Sequence, residues 1–194
     1  MVSAVVLAAG ASTRMGTPKL LLPLGAETIV RRTVRQVCDS GFDEVIVVSG
    51  SEHERIVEAL EGLPVRHALN PDFATGRGSS FRTGVEHLGD AEAAMFALAD
   101  QPFLTAAEYG AILTTWRLHH PLIVGSRFGE VTAPPHLFAR ALYPELAALQ
   151  HGARSVLQRH AGQMVVMHFA AELLMDIDTP EDYERAKARV AARP

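Results

Sequence analysis

Residues 7–19, LAAGASTRMGTPK, gather two glycines, several hydroxyl groups and two cations, Arg14 and Lys19, in one short stretch. Such a run suits an anion. Glycine frees the backbone to aim successive N–H groups into one concavity, and Arg14 and Lys19 add full positive charge. Leu7, Ala8 and Ala9 lead into the turn, and the two alanines are small enough for a nucleobase to approach the backbone. Gly10 and Gly16 supply its bends. The same composition would also serve an ordinary surface loop with solvated cations. Two better-known phosphate motifs do not fit. The P-loop needs GxxxxGK[ST], whereas Gly10 and Gly16 stand six apart and Lys19 follows a proline. The dinucleotide fingerprint enters a helix directly, whereas Pro18 and the LLLPLG that follows make an extended connection.

A second chemical group is Asp100, set at the end of an apolar run and followed by Gln101 and Pro102. Its carboxylate would emerge at the same sheet edge as the phosphate loop. Magnesium takes a few carboxylate oxygens together with waters and phosphate oxygens, so a well-placed aspartate is a metal position. An aspartate that merely caps the next turn has the same sequence appearance. A third group is the segment 75–84, TGRGSSFRTG, which offers glycines, backbone N–H groups and two serines at an expected helix start, suited to a base edge or a ribose.

These groups need a scaffold with strand ends on one side. Short β-rich runs alternate with segments of helical period almost throughout, which implies an α/β fold with a largely parallel sheet. Residues 3–8 (SAVVLA), 44–49 (EVIVVS) and 94–99 (AMFALA) read as strands buried on both faces. Shorter strands are expected at 65–68 and 122–124. Residues 28–39 carry Ile29, Val30, Thr33, Val34, Val37 and Cys38 on one helical face. Ser51 with Glu54, and Thr105 with Glu108, read as capping boxes. Pro135 suits a first helical turn, and residues 164–168 (MVVMH) read as a late strand, open to running antiparallel at an edge. The last helix begins at Thr179, with Pro180 at its first position and Glu181 and Asp182 favouring the helix dipole.

Four segments together carry a family resemblance. LAAGASTRMGTPKLLLPLG, GRGSSFRTGV at 76–85, ALADQPFL at 97–104 and DIDTPEDY at 176–183 resemble, in order, the motifs of the MobA/MocA-like nucleotidyltransferases. That family includes molybdenum-cofactor guanylyl- and cytidylyltransferases. The resemblance implies a three-layer α/β/α, Rossmann-like fold of the nucleotide-diphosphosugar transferase kind, and Mg²⁺-dependent transfer from a nucleoside triphosphate to a phosphorylated acceptor. It implies Lys19, Arg14 and Asp100 as catalytic residues, and Asp100 with a second acid before the last helix as metal ligands. Asp178 is favoured for the second acid, although alternation along an extended segment would point Asp176 the same way. Gly76, Gly78, Ser79 and Ser80 would lie along the nucleoside, with Arg82 facing phosphate or solvent. LAAG resembles the cytidylyltransferase branch, which makes CTP the expected donor and molybdopterin the expected acceptor. A molybdoenzyme or its chaperone is an implied partner. His136, after APP, resembles a substrate-facing part of the family. The segment 149–154, LQHGAR, resembles a family element that carries an acidic residue where this chain has none.

Composition narrows the classes further. With 194 residues and 48% hydrophobic content, the chain has enough material for one sizeable core, so a single domain spanning residues 1–194 is expected. Eighteen basic residues against 22 acidic ones give a net charge of −4, with no basic block to track a nucleic-acid backbone. No apolar run approaches the roughly 18 residues that span a bilayer, and no basic leader precedes the first strand, so the expected location is cytoplasmic. Cys38 is the only cysteine, which excludes internal disulfides and CxxC metal sites and suits a small packing residue. The nine histidines show no paired ligand spacing.

Overall fold

Every residue of the first apolar run is buried, because it is covered from both sides. Val2, Ala4, Val6 and Ala8 point into one hydrophobic cluster, and Val5 and Leu7 point into another. That alternation places β1 (Val2–Ala8) at the middle of three layers. The computed structural model describes residues 1–10 and 15–192.

After β1 the chain makes a small antiparallel pair, β2 (Pro23–Leu24) and β3 (Glu27–Thr28), then α1 (Ile29–Cys38), β4 (Glu44–Ser49), α2 (His53–Ala59) and β5 (Arg66–Leu69). α3 (Arg77–Glu86) crosses back to β6 (Ala93–Leu98), and α4 (Ala106–His119) leads on to β7 (Ile123–Phe128). β8 (Val131–Thr132), β9 (His136–Ala139), α5 (Tyr143–Ala147), α6 (Arg154–Arg159), β10 (Met164–Phe169) and α7 (Pro180–Ala191) complete the order. The main sheet runs β10-β7-β9-β6-β1-β4-β5, with β8 attached to β7. Pairs β1/β4, β1/β6, β4/β5 and β7/β10 are parallel, and β9 runs antiparallel between β6 and β7. Buried residues of α1, α2, α4 and α7 join one cluster, and those of α3, α5 and α6 join the other. The sheet is therefore the mostly parallel, helix-covered one that the sequence alternation implies.

Helix starts follow their caps. The Thr28 side chain accepts from the Arg31 N–H, the expected pair Thr105/Glu108 closes a capping box on α4, and Thr179, the expected N-cap of α7, forms a capping box with Asp182. Ser51 does not cap α2. The helix starts one residue beyond Glu52, after a turn in which the His53 N–H donates to the Gly50 carbonyl, so the Ser51 hydroxyl sits too early.

Two further expectations are corrected. Pro135 starts no helix; it lies in a cis Pro134–Pro135 unit ahead of the buried strand β9. The Ser126 hydroxyl donates to its carbonyl, tying the unit to β7. β10 is an edge strand, as expected, but parallel to its neighbour; its apolar pattern carries no direction. β7 also extends past the expected 122–124, because Gly125 is a close approach and not a strand end. A Cβ there would meet Met164 Sδ of β10 at 2.6 Å.

α3 depends on two such approaches. A Cβ on Gly84 would stand 2.8 Å from Val5 Cγ1 on β1, and one on Gly78 would stand 2.1 Å from the Leu149 carbonyl oxygen. The second obstacle is backbone and cannot rotate away. Gly78→Ala should destabilise the protein by about 3 kcal/mol, the upper part of the usual overpacking range, as read by chemical denaturation. A wild-type midpoint would show that the segment around Leu149 yields freely.

Candidate active site

The sheet brings two strand ends together. Leu7 of β1 pairs in register with Leu98 of β6, and the Ala99 N–H donates to the Leu7 carbonyl. Ala9 and Asp100 thus leave the sheet side by side. β4 and β5 continue on one side of β1 and β6 lies on the other, so this is where the strand order reverses, the place where open α/β sheets bind ligands.

Lys19 closes the arrangement. It opens a short 3₁₀ turn, Lys19–Leu21, that buries both Lys19 and Leu20. Its Nζ donates to Asp100 Oδ2 and to Asp178 Oδ1, each at 2.7 Å. Burial alone would lower the Lys19 pKa, but the charges and hydrogen bonds of Asp100 and Asp178 outweigh it and hold the ammonium above its ordinary range. The lysine is therefore charged at neutral pH.

Asp178 is fixed by the start of α7, where its backbone N–H donates to Asp182 Oδ2. Asp176, two residues earlier, turns elsewhere and accepts from Gln101 Nε2 at 3.2 Å. Ile177, fully buried between them, anchors the strap. Partial withdrawal from water raises the Asp176 carboxyl above its usual range, with the Asp100 charge adding to it. Asp176 as a whole is exposed, so this effect is confined to the carboxyl edge facing Gln101. The DQP turn is itself pinned: Arg32 Nε donates to the Pro102 carbonyl, and Thr33 Oγ1 donates to the Ala99 carbonyl.

A cleft of about 370 Å³ opens over these groups. Of the residues singled out by sequence, Leu7, Ala9, Gly10, Lys19, Gly76, Ser80, Asp100 and Asp178 line it. Four others do not. Ala8 is the buried last residue of β1, and Gly16 (φ +65°) shapes the loop from outside the cleft wall. Gly78 packs against Leu149, as above, and Ser79 is turned inward, where its hydroxyl donates to the Gly76 carbonyl. Arg82 donates to the Ala147 carbonyl and so braces α5. Arg14 lies outside the described residues.

Sequence reasoning missed three contributors. Buried Asn70 donates to the hydroxyls of Ser79 and Ser80, and its Oδ1 accepts from the Asp72 N–H, so it holds the start of α3 to the cleft. Phe73 and Arg77 line the cleft directly. The Asn-Pro pair at 70–71 was the one local signal, a turn dipeptide after a strand.

The donor set fits a hard divalent cation. Two carboxylates converge on one point and are neutralised there by an ammonium, and Gly10 and Gly76 are among the other residues of the cleft wall. Among the described residues no group of three or more His, Cys, Asp or Glu is placed to hold a metal. An ion would therefore sit on Asp100 and Asp178 and take its remaining ligands from water and phosphate, the habit of Mg²⁺.

A second cavity, about 660 Å³, adjoins the first and shares Arg77 and Leu98 with it. His136 lines this second space although it is only 4% exposed. Its Nδ1 accepts from the Ser126 N–H, and burial pushes its pKa down to about 4. The sign of the pH effect follows. A histidine depressed from 6.5 contributes stability that is complete above about pH 6.5 and lost as pH falls toward 4. Wild type should lose about 3 kcal/mol more than His136→Gln between pH 7 and pH 4, measured by denaturant titration at each pH. Parallel pH profiles would show that the ring is not desolvated.

A central parallel sheet, a strand-order reversal and a Lys-Asp-Asp cluster beside a glycine turn define a nucleotide-binding α/β protein. The MobA-like NTP transferase domain matches residues 4–164, and the chain belongs to that family of nucleotidyltransferases. It is 33% identical to the purine catabolism protein PucB of Bacillus subtilis, over 94% of both chains. It is 29% identical to nicotine blue oxidoreductase of Paenarthrobacter nicotinovorans, over 93% of this chain and 88% of the other. With the molybdenum cofactor cytidylyltransferase of Escherichia coli it shares 26% identity over 97% and 96%. A solved nucleotidyl transferase from Methanothermobacter superimposes with a TM-score of 0.86 at 25% identity, over 100% of this chain and 99% of the other. No helix among the described residues is long and apolar enough to cross a membrane.

Proposed function

We propose that this chain transfers the monophosphate of a nucleoside triphosphate, CTP in the first instance, to a phosphorylated acceptor of the molybdopterin type. The observation that carries the reading is the buried Lys19 ammonium held between Asp100 and Asp178 at the mouth of the glycine turn. The LAAG sequence and the molybdenum cofactor cytidylyltransferase relative support the choice of CTP and of acceptor.

In the proposed reaction an oxygen of the acceptor's terminal phosphate attacks the α-phosphorus of the triphosphate. A new P–O bond forms, the bond to the α,β-bridging oxygen breaks, and pyrophosphate leaves with that electron pair. The attacking phosphate is already ionised, so no protein base is required. Negative charge grows on the non-bridging and leaving oxygens, where a fixed ammonium and backbone N–H groups stabilise it more than they do the ground state. Lys19 would exchange an aspartate contact for a phosphate contact, the loop from Leu7 to Gly10 would carry the phosphates, and Gly76 and Ser80 would border the nucleoside. Mg²⁺ held by Asp100 and Asp178 would neutralise phosphate charge. A cytoplasmic location, with delivery of the product to a molybdoenzyme or its chaperone, belongs to the same reading.

The test is pyrophosphate release with CTP, GTP, ATP and UTP, each supplied with purified molybdopterin and Mg²⁺. Release with CTP and formation of a CMP-bearing product are expected. Nucleotide binding without release from any triphosphate would make the chain a sensor and defeat the transferase reading. Release only with a sugar phosphate in place of molybdopterin would move the acceptor.

A further inference from the structure

Asp100 and Asp178 carry like charges, come from distant segments, and meet at the Lys19 ammonium, 2.7 Å from each. In the proposed reaction Lys19 turns part of that contact toward phosphate. Two carboxylates then repel each other unless something else keeps them apposed. The DQP turn and the strap before α7 each have their own anchors. Arg32 and Thr33 of α1 pin the carbonyls of Pro102 and Ala99, while buried Ile177 and the Asp182 carboxylate fix the strap.

A hydrogen bond that joins the two segments directly runs from Gln101 Nε2 to Asp176 Oδ1, at 3.2 Å. Each end is close in sequence to one of the two carboxylates: Gln101 follows Asp100, and Asp176 precedes Asp178 by two residues. Gln101 is only 1% exposed, and its Oε1 is buried with no hydrogen-bond partner among the described residues. Half the capacity of the amide is thus unmet, a cost that an apolar side chain of the same length would avoid. What the glutamine supplies in return is its donor. It does so without adding charge, whereas a lysine or arginine in its place would compete with Lys19 for the same carboxylates. Asp176 is exposed as a residue, so its bond to Gln101 contributes position and little packing.

We propose that Gln101 and Asp176 are positioning residues of the cation site: their hydrogen bond ties the DQP turn to the strap and sets the spacing at which Asp100 and Asp178 receive a divalent cation. Neither touches substrate or metal; both act through the carboxylates beside them. The inference rests on the nucleotidyl-transfer reading and adds to it the pair that holds the site in register while Lys19 serves phosphate.

Mn²⁺ binding to the full chain with CTP present, followed by the EPR signal of free Mn²⁺, tests it. Gln101→Met keeps the length of the side chain and removes the donor. It should weaken Mn²⁺ binding about tenfold, the lower end of what loss of an outer-shell partner costs a metal site, without lowering the melting temperature. Gln101→Glu, which sets two carboxylates against each other, should weaken it at least as much. Asp176→Asn and Asp176→Ala lose the same charge, but the first keeps an acceptor for Gln101, so the second should bind Mn²⁺ about fivefold more weakly than the first. Gln101→Glu combined with Asp176→Asn exchanges donor and acceptor at unchanged total charge, and should return to within about threefold of wild type. In turnover, Gln101→Met should raise the Mg²⁺ concentration at half-maximal rate by more than it lowers kcat, a split that general damage to the fold would not give. Wild-type Mn²⁺ affinity in Gln101→Met and Gln101→Glu, or an exchanged pair no better than Gln101→Glu alone, would overturn the proposal. A wild type that binds no Mn²⁺ defeats the metal reading and this inference with it, whereas wild-type Mn²⁺ binding with indifferent variants defeats this inference alone.

Discussion

Lys19→Ala should lower turnover about a hundredfold to a thousandfold, the effect of removing one preorganised donor from a developing oxyanion. Within the described cleft wall the other side-chain donors are the exposed Arg77 and the Ser80 hydroxyl. The ammonium is fixed by two carboxylates at 2.7 Å and held above its ordinary pKa, so it is charged and oriented before substrate arrives. The same substitution removes the Lys19 charge from between Asp100 and Asp178. Stripping one side from a fully buried pair costs about 3–5 kcal/mol, and the partial exposure of Asp178 screens the charge, so about 2 kcal/mol is expected here. Divalent cation should recover part of that loss. Mg²⁺ should raise the melting temperature of Lys19→Ala by more than it raises that of wild type. Pyrophosphate release and thermal melts with and without Mg²⁺ read both effects, and unchanged turnover would remove Lys19 from the chemistry.

The second large effect belongs to Asp100. Asp100→Asn preserves the shape of the side chain and one acceptor oxygen, but removes the charge that a cation and Lys19 both use. Loss of metal-assisted charge stabilisation is worth several kcal/mol, so turnover should fall about a hundredfold or more. The Mg²⁺ concentration giving half-maximal rate should rise with it. Asp178→Asn should shift that concentration in the same direction by less, because Asp178 is the more exposed partner. Superimposable Mg²⁺ titrations for wild type and Asp100→Asn would show that no ion is bound through this carboxylate.

Part of this architecture is legible from residue order alone. β1, β4 and β6 are apolar on consecutive residues because both faces are covered, and such runs advertise themselves. Lys19 and Asp100 follow from them: each sits in a short polar segment just beyond a buried strand. What local pattern cannot give is a relation between distant segments. Asp176 and Asp178 have the same local character, and only the path of the strap places one on Lys19 and the other on Gln101. Gly78 reads as a nucleotide glycine until the backbone of Leu149 is found against it. The strand expected at 122–124 runs on through Gly125, and the Met164 side chain packed against that glycine comes 39 positions later. Asn70, Phe73 and Arg77 gain their roles from the packing of α3 over the sheet, to which no motif points. His136 carried a hint of substrate contact, but its buried, neutral state depends on Ser126 of a neighbouring strand.

Crystals grown with Mn²⁺ and a CTP analogue carrying a methylene α,β-bridge would test the central claim most directly, with the metal located by its anomalous scattering. The account predicts a metal peak on the Asp100 and Asp178 carboxylates, with the triphosphate along the turn that begins at Leu7 and Lys19 bonded to it. Nucleotide and metal seated elsewhere, with Lys19 still bound to its two aspartates, would contradict it.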